Sequence, residues 1–228
     1  FLVLTYGTDG DTRPLAALSR ALIDAGHEAH LLADGASLGI ATALGVPATS
    51  IAGDIRGALR HEGAASGLFE KNGAGNTAKE LARIANANAE DWLRCAVQVG
   101  RDCDAIILSG LAGFVGLSAA EYLGAKAIGT GLFPLTPTSA FASPFLPPGK
   151  LPRIFNRLSQ RLINQLLWKA FRKATNEARE RVCALPPRKS LWVGHPMLYG
   201  VSPSLLPRPD DWPSNALVCG QWLLPAKD

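Results

Sequence analysis

Two hydrophobic rhythms alternate along this chain: short apolar runs, and longer stretches in which Leu, Ile, Val and Ala return every three or four positions. The first run, Phe1-Leu2-Val3-Leu4, breaks at Gly7 and Gly10. It gives way after Pro14 to Leu15, Leu18 and Leu22, spaced for one helix face and stopped by Gly26. Pro14 suits the first turn of that helix. Residues 28–33 read as a second strand, 36–44 as a second helix and 46–51 as a third strand. This succession calls for a parallel sheet with right-handed crossovers. Residues 53–76 lose periodicity and gather glycine around Leu68-Phe69, which reads as a surface loop. Helical spacing returns at 77–99 through Leu81, Ile84, Ala85, Trp92 and Val99; a buried strand at 104–109, an Ala-rich helix at 113–123 and a fifth strand at 125–129 follow.

The next segment, Thr130-Gly131-Leu132-Phe133-Pro134-Leu135-Thr136-Pro137-Thr138, runs on through Pro144, Pro147, Pro148 and Gly149. A Pro-rich apolar loop placed after a strand reads as a binding or lid segment. A long helix over 154–183 carries Phe155, Leu158, Leu162, Leu166 and Phe171 as an apolar stripe, expected to pack on the core. Arg153, Arg157, Arg161, Lys169, Arg172 and Lys173 stand on its other faces, and Leu185-Pro186-Pro187 stops it. The tail alternates strand-like pieces at 191–193 and 216–219 with Pro-rich turns. The pattern predicts an α/β fold, a Rossmann-like parallel sheet flanked by helices, as one domain over 1–228.

Composition adds a local charge imbalance. The net charge is +4, but residues 150–181 hold nine Lys/Arg against two Asp/Glu, a net of +7, and the rest of the chain is at −3. Such a helix either touches anionic lipid or a phosphate-bearing substrate, or presents a solvated face while packing on the core. The interleaving of its charges with polar residues favours the solvated face. No nucleic-acid-binding module is recognisable. Cys95, Cys103, Cys183 and Cys219 lack C-x-x-C spacing, which argues against a zinc site or a disulfide framework and fits a cytoplasmic location. No run approaches the roughly 20 apolar residues of a membrane span, and no signal peptide precedes the first strand.

The opening loop is where chemistry concentrates. Its G-x-x-G spacing is neither the dinucleotide fingerprint nor a phosphate loop. Asp9-Gly10-Asp11 matches the D-x-D metal pattern, but so does Asp102-Cys103-Asp104, and a metal needs several converging oxygen ligands, so none is expected. Asp11 reads either as a helix cap or as a general base for a substrate hydroxyl, with the helix terminus expected to hold its pKa down. His27, His30 and His61 read as ordinary surface or strand-end residues. Ser109-Gly110-Leu111-Ala112-Gly113 is not a hydrolase elbow; its small residues would let a ligand come close.

The stretch Gly7-Thr8-Asp9-Gly10-Asp11-Thr12-Arg13-Pro14, followed by Leu18 and Ala25-Gly26-His27-Glu28, resembles the opening of the sterol and antibiotic-aglycone glucosyltransferases. These GT-B enzymes share a G-[ST]-x-G-D-x-x-P loop and an A-G-H-[ED] strand entry. The tail resembles the segment closing their N-terminal half, through Leu198-Tyr199-Gly200-Val201-Ser202-Pro203, Pro209-Asp210-Asp211-Trp212-Pro213 and Val218-Cys219-Gly220-Gln221-Trp222. Phe133-Pro134 and Pro137-Thr138 match more weakly.

The resemblance implies an acceptor-binding half of an inverting transferase that uses a nucleotide sugar, usually UDP-glucose, without cofactor or obligatory metal. Asp11 would deprotonate the hydroxyl of a hydrophobic acceptor such as a sterol, lipid or polyketide-like aglycone. Gly7, Thr8 and Gly10 would approach the donor diphosphate, and Leu132, Phe133 and Thr136 would line the acceptor pocket. Asp9 departs from the pattern, where Arg is common, and would repel a diphosphate. The family's donor-binding half follows the 218–222 segment and lies outside this sequence, so the chain alone is expected to be inactive without that domain in cis or a separate subunit. Two other classes stay open: a noncatalytic α/β small-molecule binding module, and a membrane-surface subunit of a split transferase with peripheral contact through the basic helix.

Overall fold

The computed structural model describes residues 1–55, 73–146 and 152–224. Within these residues seven parallel strands form one sheet: β1 (Leu2–Leu4), β2 (His30–Asp34), β3 (Ala48–Ile51), β4 (Ala105–Leu108), β5 (Lys126–Gly131), β6 (Met197–Tyr199) and β7 (Ala216–Val218). Their spatial order is β3-β2-β1-β4-β5-β6-β7. The central register sets Leu4 beside Leu32 on one side and Leu108 on the other. Among the described residues five α-helices cover the sheet: α1 (Asp9–Asp24), α2 (Leu38–Ala43), α3 (Gly73–Val99), α4 (Gly113–Leu123) and α5 (Asn156–Cys183).

Alternating side chains of the central strands feed two cores, which is why those strands are apolar throughout. Leu2, Leu4 and Ile106 join Trp92, Leu93, Val115, Ala119 and Phe171 from α3, α4 and α5. Val3, Leu31 and Ile107 point to the other face and meet Leu15 and Ala16 of α1 and Ala41 of α2. A third, smaller cluster sits under the tail, where Tyr199 stacks on Trp212 at 4.7 Å.

Several boundaries differ from the sequence reading, each for a local reason. Helix α1 begins at Asp9, so Pro14 lies inside it and not in its first turn; Thr8 is the N-cap and Asp11 completes the cap. Helix α3 begins at Gly73, so the expected loop loses its last residues to the helix, and Leu68-Phe69 and His61 lie outside the described residues. Pro147, Pro148 and Gly149 also lie outside them. Residues 191–193 form no strand: the Trp192 ring meets Trp168 edge-on at 5.4 Å, with the Arg188 guanidinium 4.4 Å from its centre. The strand beside β5 is instead Met197–Tyr199.

The largest difference concerns α5. Its expected core stripe is core only at Phe171; Phe155, Leu158, Leu162 and Leu166 are 45%, 59%, 57% and 51% exposed. The helix packs through a different set, Trp168, Phe171, Thr175, Ala178 and Cys183. Arg179, wholly buried, adds a bidentate pairing with Glu121 at 3.1 and 3.0 Å and donates to the Pro186 carbonyl. The N-terminal half of the helix is tied down by polar side chains instead, as Asn156 donates to the Ser139 carbonyl and Gln160 to that of Phe141.

Candidate active site

Strands β1 and β4 are neighbours, yet β1 leads to α1 on one face of the sheet and β4 to α4 on the other. Chains that diverge in this way open a crevice at the carboxyl edge, where ligands of open α/β sheets bind. The β1 side is walled by Gly7–Asp11 and the β4 side by Ser109–Gly113. Gly110 has a positive φ of 58°, and a Cβ there would lie 3.1 Å from the Tyr6 carbonyl oxygen. The small residues noted in this turn therefore bring the two walls of the crevice together.

Asp11 stands at this crevice on the first turn of α1. Its Oδ2 accepts the Thr8 backbone N–H at 2.9 Å and the Thr8 hydroxyl at 3.4 Å, while its own N–H donates to the Thr8 carbonyl at 2.9 Å. A Cβ on Gly7 would collide with this carboxylate. Burial pushes the Asp11 carboxyl up from the ordinary aspartate range, against the opposing pull of the Thr8 hydrogen bonds. That reverses the expectation that the helix terminus would hold it down: desolvation outweighs the helix end. Asp11 is thus both a cap and a partly buried carboxylate of enhanced basicity.

The D-x-D carboxylates do not converge. Asp9 accepts from Ser37 Oγ at 2.9 Å, across towards the turn after β2, whereas Asp11 turns to Thr8. Asp102 and Asp104 precede β4 and lie at the other edge of the sheet. Gly10 is exposed, and a Cβ there would make only ordinary contact with Thr8 Oγ1 at 3.5 Å. His27 meets Phe1 edge-on at 5.2 Å, and His30 Nε2 bonds Thr49 Oγ1 at 2.8 Å; both belong to the edge remote from the crevice.

The loop after β5 leaves from the same carboxyl edge. Leu132 is half-buried and Phe133 is exposed, meeting Phe145 edge-on at 5.5 Å. Thr136 anchors this loop. The buried Tyr199 hydroxyl accepts the Leu135 N–H at 3.2 Å and the Thr136 N–H at 2.7 Å, and bonds Thr136 Oγ1 at 2.6 Å. The Thr136 carbonyl takes the Trp212 indole N–H at 3.0 Å. Beside it, Asp211 accepts from the Thr138 hydroxyl, from the Ser139 N–H and hydroxyl, and from Arg157 at 2.8 Å. These donors hold its carboxyl far below the usual carboxylate range.

Tyr199, Asp211 and Trp212 therefore clamp the loop, a role that sequence reasoning missed although all three stand in the tail motifs. Tyr199→Phe leaves two backbone N–H groups without their acceptor and is expected to cost about 1–3 kcal/mol of stability, read from urea unfolding. A change below a few tenths of a kcal/mol would mean that the hydroxyl is not what holds the loop.

Similarity to known proteins extends over nearly the whole chain. It is 26% identical over 231 residues to a sterol 3-beta-glucosyltransferase of Yarrowia lipolytica, covering 98% of this chain and 15% of that protein. The sterol 3-beta-glucosyltransferase of Neurospora crassa is 27% identical over 234 residues, covering 97% and 14%. The chain thus spans about 15% of the length of the curated relatives it matches. No family model matches it. Among solved structures, glycosyltransferase VinC in complex with DTDP has a TM-score of 0.56 at 17% identity, covering 96% of this chain and 52% of that one. Glycosyltransferase SnogD from Streptomyces nogalater has a TM-score of 0.52 at 21% identity, covering 99% and 55%. The fold is that of one half of these GT-B glycosyltransferases.

Proposed function

We propose that this chain, similar along its length to sterol glucosyltransferases, is the acceptor-binding half of an inverting, UDP-sugar-dependent glycosyltransferase whose acceptor is a hydrophobic alcohol. The observation that carries this reading is the Asp11 carboxylate, partly buried at the β1–β4 crevice and raised in pKa above an ordinary aspartate. A general base accepts a proton most usefully when it is ionised at working pH yet retains proton affinity, and desolvation raises that affinity here. Asp11 takes the proton of the acceptor hydroxyl, the oxygen attacks the anomeric carbon, and the nucleoside diphosphate leaves from the opposite side. The apolar Leu132–Phe133 segment, held by the Tyr199 and Asp211 clamp, supplies surface for the acceptor body. The Gly7–Gly10 turn faces the donor, whose binding falls mainly to a second domain outside this chain.

The test is a sugar-transfer screen of the complete gene product with UDP-glucose against sterols and other apolar alcohols. The reading expects a β-linked glucoside from the α-linked donor sugar; transfer with retention, or none to any apolar alcohol, defeats it. A pH profile adds a second measurement. Because Asp11 must be ionised and its pKa is raised, kcat/KM should fall on the acid side with an apparent pKa above the ordinary aspartate range. In Asp211→Ala the acceptor KM should rise severalfold with kcat less affected, since the clamp shapes the loop and touches no reacting atom.

A further inference from the structure

The first half of α5, with the 3-10 turn Arg153–Phe155 that leads into it, displays an apolar face that nothing among the described residues covers. Ile154, at 82% exposed, begins it, and Phe155, Leu158, Leu162 and Leu166 continue it at spacings of three and four, one row along the helix. Single exposed hydrophobes are ordinary, but five aligned on one helical face are not. The face is also framed by cations. Arg161 and Arg172 stand along one flank, and Lys169 extends the same row where the leucines end, all exposed. From Arg153 to Asn176 the sequence contains no acidic residue. Arg157 and Lys173 are excluded from this set because Asp211 and Glu177 pair with them.

We propose that this face of α5 is a docking surface for an anionic lipid bilayer. An interfacial helix lays Leu, Ile and Phe into the boundary between headgroups and acyl chains while Lys and Arg beside them meet anionic headgroups. The segment 154–173 has both parts in the required arrangement, and the +7 of residues 150–181 against −3 elsewhere orients the molecule with this side towards negative charge. The polar ties that fix the N-terminal half of α5, Asn156 to Ser139 and Gln160 to Phe141, hold it in place without consuming its apolar row. The same half of the helix adjoins the loop after β5, since Asn164 donates to the Leu135 carbonyl at 3.2 Å. The proposal stands on the exposure and charge of α5, not on the transferase reading, and its test measures no sugar transfer.

The experiment is flotation of the 228-residue chain with vesicles of phosphatidylcholine alone and of phosphatidylcholine with phosphatidylserine. The chain should float with the anionic vesicles and much less with the neutral ones, and added salt should weaken it. Leu158→Asp with Leu162→Asp should reduce partitioning at least about tenfold, with an unchanged circular dichroism spectrum and unfolding midpoint, because both residues are exposed. Arg161→Gln with Arg172→Gln should weaken binding to the anionic vesicles by about tenfold or more and leave the residual binding to neutral ones as it was. Binding that ignores phosphatidylserine, or that survives the paired Leu→Asp change, overturns the proposal. So does a chain that stays unbound yet forms a concentration-dependent dimer abolished by Leu158→Asp in sedimentation, because the face would then belong to a second copy.

Discussion

Asp11→Asn, introduced into the complete gene product, is expected to lower kcat for sugar transfer by about 10²–10⁴-fold, the range associated with loss of a positioned general base. Donor affinity should change little. Stability should hold or rise, and the sign follows from the pKa direction. A carboxyl whose folded pKa lies above its unfolded value binds more protons in the native state between those two values. Its stabilising influence is then complete at acid pH and is lost as the pH rises through the folded pKa. At neutral pH the native protein therefore keeps an ionised group that burial disfavours. Asn removes that charge while its side-chain oxygen can still accept the Thr8 N–H. Turnover lost with the urea midpoint unchanged or raised separates a base from a cap; turnover kept, with the midpoint lowered, would make Asp11 a cap and nothing more.

The same residue shows how far the sequence reaches. The opening loop was legible because glycine, a capping aspartate and a strand entry are local signals, and the parallel sheet followed from strands whose residues are apolar on both faces. The pKa of Asp11 was not legible, since local logic sees the helix end and misses the burial that overrides it. Helix α5 was misread in the opposite sense. An apolar stripe at helical spacing ordinarily marks the buried face, yet α5 buries Trp168, Phe171, Thr175 and Arg179 and leaves Leu158, Leu162 and Leu166 in water. A buried arginine is invisible to hydropathy, because its pairing with Glu121 is a tertiary fact. Thr136 was legible as part of the loop after β5 but not as an anchor, because its partner Tyr199 lies 63 residues further along. Clamps of that range depend on which strands become neighbours, and β5 meets β6 only after the whole of α5 has been crossed.

Gly7→Ala is the second large expected effect, and it tests the geometry beneath the first. The argument is steric: a Cβ at this position would overlap the Asp11 carboxylate and lie 2.7 Å from its Cβ. Either the carboxylate rotates away from the Thr8 N–H, or the loop between β1 and α1 shifts. Overpacking of this kind costs about 1–3 kcal/mol, and a catalytic group displaced by about 1 Å can lose about 10²-fold in rate. The variant should therefore lower both the urea midpoint and kcat, unlike Asp11→Asn, which lowers kcat alone. A double-mutant cycle identifies the cause. In an Asp11→Ala background the carboxylate is gone and its Cβ remains, so Gly7→Ala should cost measurably less stability there without becoming neutral. An equal cost in the two backgrounds would mean that the penalty arises elsewhere in the loop, and that Gly7 does not set where the Asp11 carboxylate stands.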